Sequence, residues 1–345
     1  MVKTTIRTED APDFNVPPER TVVFPAPAPG ATALIANPVQ INASLPWKFT
    51  DGLTLERGKD DDLELVKQRL NALSPSDGFG NLCKYYEEEA VALRMPSGNG
   101  WTVRPLPEGS WRYFVIKSSD RGENLRILHE ISNITATPID LQSLIIYSET
   151  GFRYHSETLQ RHFDGTPLGR VIVTVDNQEL EELTSLFLKW KAMLNESKAG
   201  EEVYPEIGRA LKMFDTLKLL PKQSDFEILS LFSIIEMLIT REPEGAGDAS
   251  ITKQIRGKMP MLLKRAVKVP PTPEVLKEVS AEKIWNALYD LRSCLAHGSV
   301  ANFQKGRLAL LKSHQIASEY LRDAVASLIN LAIHDPWLLR DLKSV

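Results

Sequence analysis

Leu291-Arg292-Ser293-Cys294-Leu295-Ala296-His297-Gly298 closes an amphipathic segment that begins near Lys283, and its reading decides the fold of the second half of the chain. Ile284, Ala287, Leu288, Leu291 and Leu295 recur at three- and four-residue steps, the spacing of one buried helical face. Gly298 follows the last periodic residue, where a left-handed glycine stops a helix. The stretch is therefore a helix that carries Arg292 about a turn before its end and His297 at the end. Arg is a permanent cation that forks onto phosphate oxygens. His is the side chain that moves a proton near neutral pH. Together they supply what a metal-free phosphodiester cleavage needs: one group to move protons and one to stabilise charge on phosphorus. Spacing alone leaves a plainer reading open. Five helical steps of ~100° set the two side chains roughly 140° apart, so Arg292 as a surface charge and His297 as a cap stand beside the catalytic reading.

Working outward, the neighbouring segments are helical too. Asp176-Asn177-Gln178-Glu179 is a capping signal, followed by Leu180, Leu183, Leu186, Phe187 and Trp190 at helical spacing. Glu206 to Leu219 reads as one helix, and Asp225 to Thr240, nearly all apolar, as a central one. Ser250 caps a helix that Pro260 is expected to kink or interrupt. Pro270-Pro271-Thr272-Pro273 breaks the chain, and Arg307 to His334 reads as one long helix ended by Asp335-Pro336. Residues 176–345 are thus expected to form an all-α bundle. The apolar excess of the central and Arg-His helices predicts a two-fold homodimer through this half.

The first half has a different character. Residues 1–45 are Pro-rich and predict an extended arm with at most short edge strands such as Thr21-Val22-Val23-Phe24. Residues 46–175 read as a mixed α+β domain. Trp47–Thr50 and Leu53–Glu56 alternate around an Asp51-Gly52 turn, and Asp61 to Leu70 is a helix. Trp111 to Ile116, Leu144 to Tyr147 and Arg170 to Val175 are aromatic or β-branched, and strand-like. The fold class is therefore an α+β N-terminal domain followed by an all-α helical bundle.

Composition narrows function mainly by exclusion. The 345 residues are 43% hydrophobic and 25% charged, with a formal net charge of -4, which describes an ordinary globular chain without a broad basic face. Cys83 and Cys294 stand far apart and form no Cys-x-x-Cys, so no Cys-based zinc site is expected. No phosphate-binding Gly-rich loop or nucleophile elbow occurs, so neither a metal nor a cofactor is expected. No signal-peptide core or membrane-length apolar run is visible, and a cytoplasmic location is expected. His155 and His162 read as polar surface, Glu87-Glu88-Glu89 as a solvated charge run, and Cys294 as a small apolar residue. One local asymmetry stands out. Lys253, Arg256, Lys258, Lys264, Arg265 and Lys268 share a stretch from Ala249 to Thr272 that lacks Asp and Glu. It is either a solvated face or a track for an RNA backbone, whose affinity comes from phosphate neutralisation.

Tyr289 to Gly298 resembles the signature of the HEPN superfamily (higher eukaryotes and prokaryotes nucleotide-binding), in particular its Apea-like branch. That branch ends a helix with a Leu-Arg, a short spacer and a His-Gly. Phe226 to Ile239 resembles its preceding apolar helix with an embedded Glu, a place occupied here by Glu236. The resemblance spans roughly residues 177 to 335 and is confined to the C-terminal half. One position departs: nuclease members commonly carry Asn, Asp or His after the Arg, and this chain has Ser293. The resemblance implies a metal-independent endoribonuclease in which His297 is the general acid or base, Arg292 stabilises the phosphorane, Glu236 orients Arg292 and Ser293 contacts a phosphate. It also implies a homodimer that faces two motifs across one site. By analogy, the N-terminal half selects RNA or senses a trigger in toxin or antiviral defence. The alternative is a non-catalytic scaffold for dimerisation or for nucleotide or RNA binding, in which Arg292 and His297 merely pack and cap.

Overall fold

The computed structural model describes residues 30–37, 39–73, 82–95, 98–120, 122–141, 143–146, 152–154, 172–198, 204–243, 249–267 and 269–344. The element order in the first half begins with β1 (Ala31–Leu34), β2 (Val39–Asn42), β3 (Trp47–Thr50) and β4 (Leu53–Arg57). Next come α1 (Asp60–Leu73), α2 (Lys84–Glu87), β5 (Glu88–Met95) and β6 (Gly98–Pro105). β7 (Phe114–Ser118), α3 (Glu123–Ser132), β8 (Leu144–Ile146), β9 (Phe152–Tyr154) and β10 (Val173–Asp176) complete it. β3 and β4 form the expected hairpin, with Gly52 at φ 83°. β7 starts three residues later than the aromatic run Trp111 to Ile116 suggests, because Trp111 and Tyr113 belong to the approach to the strand.

The main sheet has the order β3-β4-β7-β1-β8-β9. β1 is therefore an interior strand, antiparallel to β7 on one side and β8 on the other. β2 pairs in parallel with β10, Val39 opposite Val173. This corrects the reading of residues 1–45 as an arm with at most edge strands: Ala31–Leu34 and Val39–Asn42 are built into two sheets. Alternation along the strands loads both faces. Ala33, Phe114, Ile116 and Ile145 face the main core. Leu34, Val115, Leu144 and Ile146 face a smaller core that includes Val66 and Leu70 of α1. The hydroxyl of Tyr113 in that smaller core donates to Glu87, which also pairs with Lys67 at 2.6 Å, so the acidic run is partly built in, not wholly solvated.

Helices follow from β10 onward. α4 (Asn177–Lys198) opens with a reciprocal capping box: Asp176 N–H donates to Glu179 at 3.0 Å and Glu179 N–H donates back to Asp176 Oδ1 at 3.0 Å. α5 (Pro205–Thr216), α6 (Asp225–Ile239), α7 (Ile251–Arg265), α8 (Ala281–Ala296), α9 (His314–His334) and α10 (Pro336–Ser344) complete the bundle. Ser224 and Ser250 cap α6 and α7 through their hydroxyls. α7 runs through Pro260 without a break, held by buried Ile255, Met259, Leu262 and Leu263. The long helix expected from Arg307 is divided. Gly306–Leu311 is a 3-10 turn, Lys312 sits at φ 66°, and α9 restarts under a Ser313 cap. Beyond Asp335, whose carboxylate accepts from Leu338 N–H, the chain coils again as α10.

α6 is buried on several sides, through Ile228, Leu231, Phe232, Ile234, Ile235, Leu238 and Ile239, against α5, α7, α8, α9 and α10. Most of the apolar excess that prompts a dimer is thus covered within one chain, Phe226 at 70% exposure being the exception on α6. The main core also crosses Asp176: Phe114 and Ile116 belong to the same cluster as Phe187, Phe232 and Trp285. The patterning shift at Asp176 marks a change of secondary structure within one continuous core. Among the described residues no helix is long and apolar enough to cross a membrane.

Candidate active site

α8 buries Ile284, Trp285, Ala287, Leu288, Leu291 and Leu295, the face expected from the periodicity. Its end is a double hydrogen-bond closure in which Gly298 N–H donates to Leu295 O at 3.0 Å and Ser299 N–H to Cys294 O at 3.0 Å. Gly298 sits at φ 67°, the left-handed conformation that this closure requires. The stop fixes where His297 can be. Its backbone N–H donates to Ser293 O at 3.2 Å, while its ring is exposed and makes no side-chain contact among the described residues. Cys294 is half-buried and turned toward Ser299 O at 3.4 Å.

Arg292 points the other way, toward α6. Its Nη2 lies 3.1 Å from Glu236 Oε1, with the two side chains 31% and 23% exposed. Glu236 occupies the last turn of α6, where the carbonyl end of the helix disfavours an anion, so the guanidinium offsets an unfavourable placement. The guanidinium carbon of Arg292 is 5.8 Å from the Tyr289 ring centre, and that of Arg256 lies 5.3 Å from the same ring. Arg256 donates to Asp290 Oδ1 at 2.6 Å, and Arg307 donates to Asp290 Oδ2 at 3.0 Å. Three guanidinium groups therefore surround two carboxylates near the end of α8, leaving a local surplus of positive charge. Ser293 is half-buried on the same helix.

The structure joins Arg292 to Glu236 and leaves His297 apart from both, at the helix end. Tyr289, Asp290 and Arg307 complete the charged cluster and are not singled out by sequence reasoning. An Asp two residues before Arg292 is the only local sign of them. The basic run divides. Lys253, Lys264 and Arg265 are exposed, and Arg256 is committed to Asp290. Lys258 is corrected: its ammonium donates to Ile239 O at 3.0 Å, Leu342 O at 2.6 Å and Gln254 Oε1 at 3.3 Å. It ties α7 to the ends of α6 and α10, and burial followed by the nearby charge of Arg241 lowers its pKa from the ordinary lysine value. That makes it a structural pin and takes it out of an RNA-binding face. Lys268, His155, His162 and the Thr21–Phe24 segment lie outside the described residues.

A second polar cluster sits between the halves. His129 of α3 is 1% exposed and accepts at Nδ1 from Leu141 N–H at 3.2 Å. Its Nε2 lies 3.3 Å from Asp215 Oδ1 of α5 and 3.0 Å from Lys218 Nζ. Asn133 and Lys218 donate to the same oxygen at 2.8 and 2.7 Å. Burial pushes the Asp215 carboxyl up, but the hydrogen bonds from His129 and Lys218 and the charge of Lys218 outweigh it, and the net pKa lies below 3.8. This cluster clasps the two halves together. Among the described residues no group of three or more His, Cys, Asp or Glu could hold a metal ion. Comparison with family models, curated proteins and solved structures finds no match.

Proposed function

We propose that the chain is a metal-independent endoribonuclease of the HEPN type. The observation that carries this reading is the Arg292–Glu236 pair, anchored between α6 and α8, with an exposed His297 five residues on at the closed end of α8. The ribose 2′-hydroxyl attacks the adjacent phosphorus, the P–O5′ bond breaks, and a 2′,3′-cyclic phosphate and a 5′-hydroxyl result. His297 moves the proton at the 2′-oxygen or the leaving 5′-oxygen. Arg292 stabilises the charge on the phosphorane oxygens, Glu236 keeps its fork in place, and Ser293 contacts a phosphate. One chain offers one such imidazole, so a two-fold homodimer facing two motifs supplies the second proton carrier. This dimer rests on the family resemblance, since most of the apolar surface of α6, Phe226 apart, is covered within one chain. The N-terminal half selects RNA or senses a trigger, in keeping with a toxin or antiviral defence effector. That role is analogy from the resemblance alone.

A scaffold without catalysis is the competing reading, and the commitment of Arg292 to Glu236 and Tyr289 favours it. Incubating the pure protein with mixed RNA and a chelator decides between them. Cleavage should persist in chelator, and His297→Ala should cost on the order of a hundredfold or more. Its melting temperature should not move, because folding does not depend on the exposed ring. Arg292→Ala should lose a similar factor. Cleavage unchanged in both variants removes this site from the reaction, and no cleavage of any RNA by the wild type favours the scaffold.

A further inference from the structure

α7 and the first half of α8 enclose a groove of about 740 Å³, lined by Lys253, Arg256, Gly257 and Lys264 on one wall and Glu282 and Asn286 on the other. Lys253 lies in the first turn of α7 and Lys264 in the last, so their Cα atoms are ~16 Å apart along the helix. Both are exposed and form no ion pair among the described residues. Gly257 stands between them, and nothing lies within 4 Å of the position a Cβ would take there. The groove floor is thus bare backbone, and Lys253 and Lys264, together with an Arg256 already paired to Asp290, face Glu282.

The α8 wall leads to the candidate site. Glu282, Asn286, Asp290, Ser293 and His297 follow one another at four-, four-, three- and four-residue steps. At ~100° per residue they fall in one stripe roughly 80° wide. Arg256, which lines the groove, reaches Asp290 on the same stripe, one turn beyond Asn286 and on the way along α8 to Ser293 and His297. Arg292 lies off the stripe, held toward α6, where it can reach a phosphate from the side.

We infer that this groove is a flanking subsite for one RNA strand, with the exposed Lys253 and Lys264 on backbone phosphates and the Asp290-bound Arg256 between them, while the cut phosphodiester lies at Arg292 and His297. The inference rests on the ribonuclease reading. A single strand is the occupant because Lys253 and Lys264 lie in line along one helix, and a formal net charge of -4 supplies little general attraction for a long duplex. Asn286 to His297 spans ~16 Å of helix. That is about five nucleotides at the stacked rise of roughly 3.4 Å, and fewer when the strand is extended. The enzyme should therefore act on oligonucleotides and poorly on dinucleotides.

Two full-length variants test this. Lys253→Gln with Lys264→Gln removes charge, and Gly257→Leu fills the groove with a helix-favouring side chain and leaves the charge alone. Cleavage of a single-stranded decamer and of a dinucleotide is followed in each. The ratio of the two kcat/KM values should fall at least tenfold in both variants, through the KM for the decamer. The salt dependence of decamer binding should weaken in the lysine variant by about 1.4 in log–log slope, at ~0.7 for each phosphate no longer neutralised. A decamer KM unchanged in both variants overturns the subsite. Should the wild type cleave nothing, decamer affinity of the His297→Ala protein is the readout. Loss of that affinity in the lysine and leucine variants keeps the groove and discards the nuclease, whereas no loss discards the groove. A hairpin-free duplex that binds as tightly as the decamer, with the same sensitivity, overturns the single-strand assignment.

Discussion

Replacing Glu236 by Gln and Arg292 by Met, singly and together, measures how firmly the α6 carboxylate holds the α8 guanidinium. At 3.1 Å the bare attraction is about 1.3 kcal/mol in a water-like medium and about 5 kcal/mol at a dielectric of 20. Exposure of 31% and 23% places the pair toward the screened limit. Glu236 Oε1 is also buried without an aligned hydrogen bond, so the contact is ionic without the added gain of a good N–H···O geometry. Half-exposed pairs of this kind contribute about 1 kcal/mol, and that is the coupling expected from a urea-unfolding cycle at low salt. The coupling should fall by half or more at ~1 M salt, where the screening length is about 3 Å. Arg292→Met alone should destabilise more than the double variant, because it strands a partly buried carboxylate. On the proposed ribonuclease reading, adding Glu236→Gln to a protein already lacking Arg292 should cost no further cleavage. Additive losses in both stability and cleavage would refute the idea that Glu236 positions Arg292.

Two further outcomes follow from the geometry. Gly298→Ala should lower the unfolding free energy by about 1 kcal/mol, since φ 67° strains any residue with a Cβ, and calorimetry reads it directly. Asp215→Asn should destabilise the fold at neutral pH and flatten its acid sensitivity. The folded pKa of Asp215 lies below its ordinary 3.8, so its contribution is full above that value and disappears as pH falls through the lower folded one. Thermal unfolding followed from pH ~6 down to ~2 checks the sign, and an unchanged slope in the variant would show that the clasp carries no proton linkage.

What was legible in the residues was local. Asp176 and Glu179 lie three apart and bond to each other, so the start of α4 could be read without knowing the fold. Gly298 after a periodic run located the end of α8, and with it His297, to the residue. What failed was long-range. β1 and β2 are four-residue strands whose partners lie far along the chain, and the prolines around them suggested an arm because pairing cannot be read from one strand. The break at Lys312 depends on an unusual backbone angle that lysine composition does not advertise. Lys258 and Lys253 look alike in sequence, one facing inward and one outward, and only the carbonyls of Ile239 and Leu342 distinguish them. The Tyr289–Asp290 hub joins side chains from two helices and the turn at Arg307, so no single window contains it.

The parallel pairing of Val39 with Val173 has a consequence for synthesis on the ribosome. The partner of the β2 segment emerges only after the whole first half has been made, 134 residues later by the difference of those two positions. At about 5–20 residues per second this is a delay of roughly 7 to 27 s. During that time a short β-forming segment near the N-terminus has its backbone groups unmatched, with the main sheet assembling beside it. Pro25, Pro27, Pro29, Pro38 and Pro46 surround it in the sequence, and proline, which has no amide to donate, disfavours strand addition from another chain.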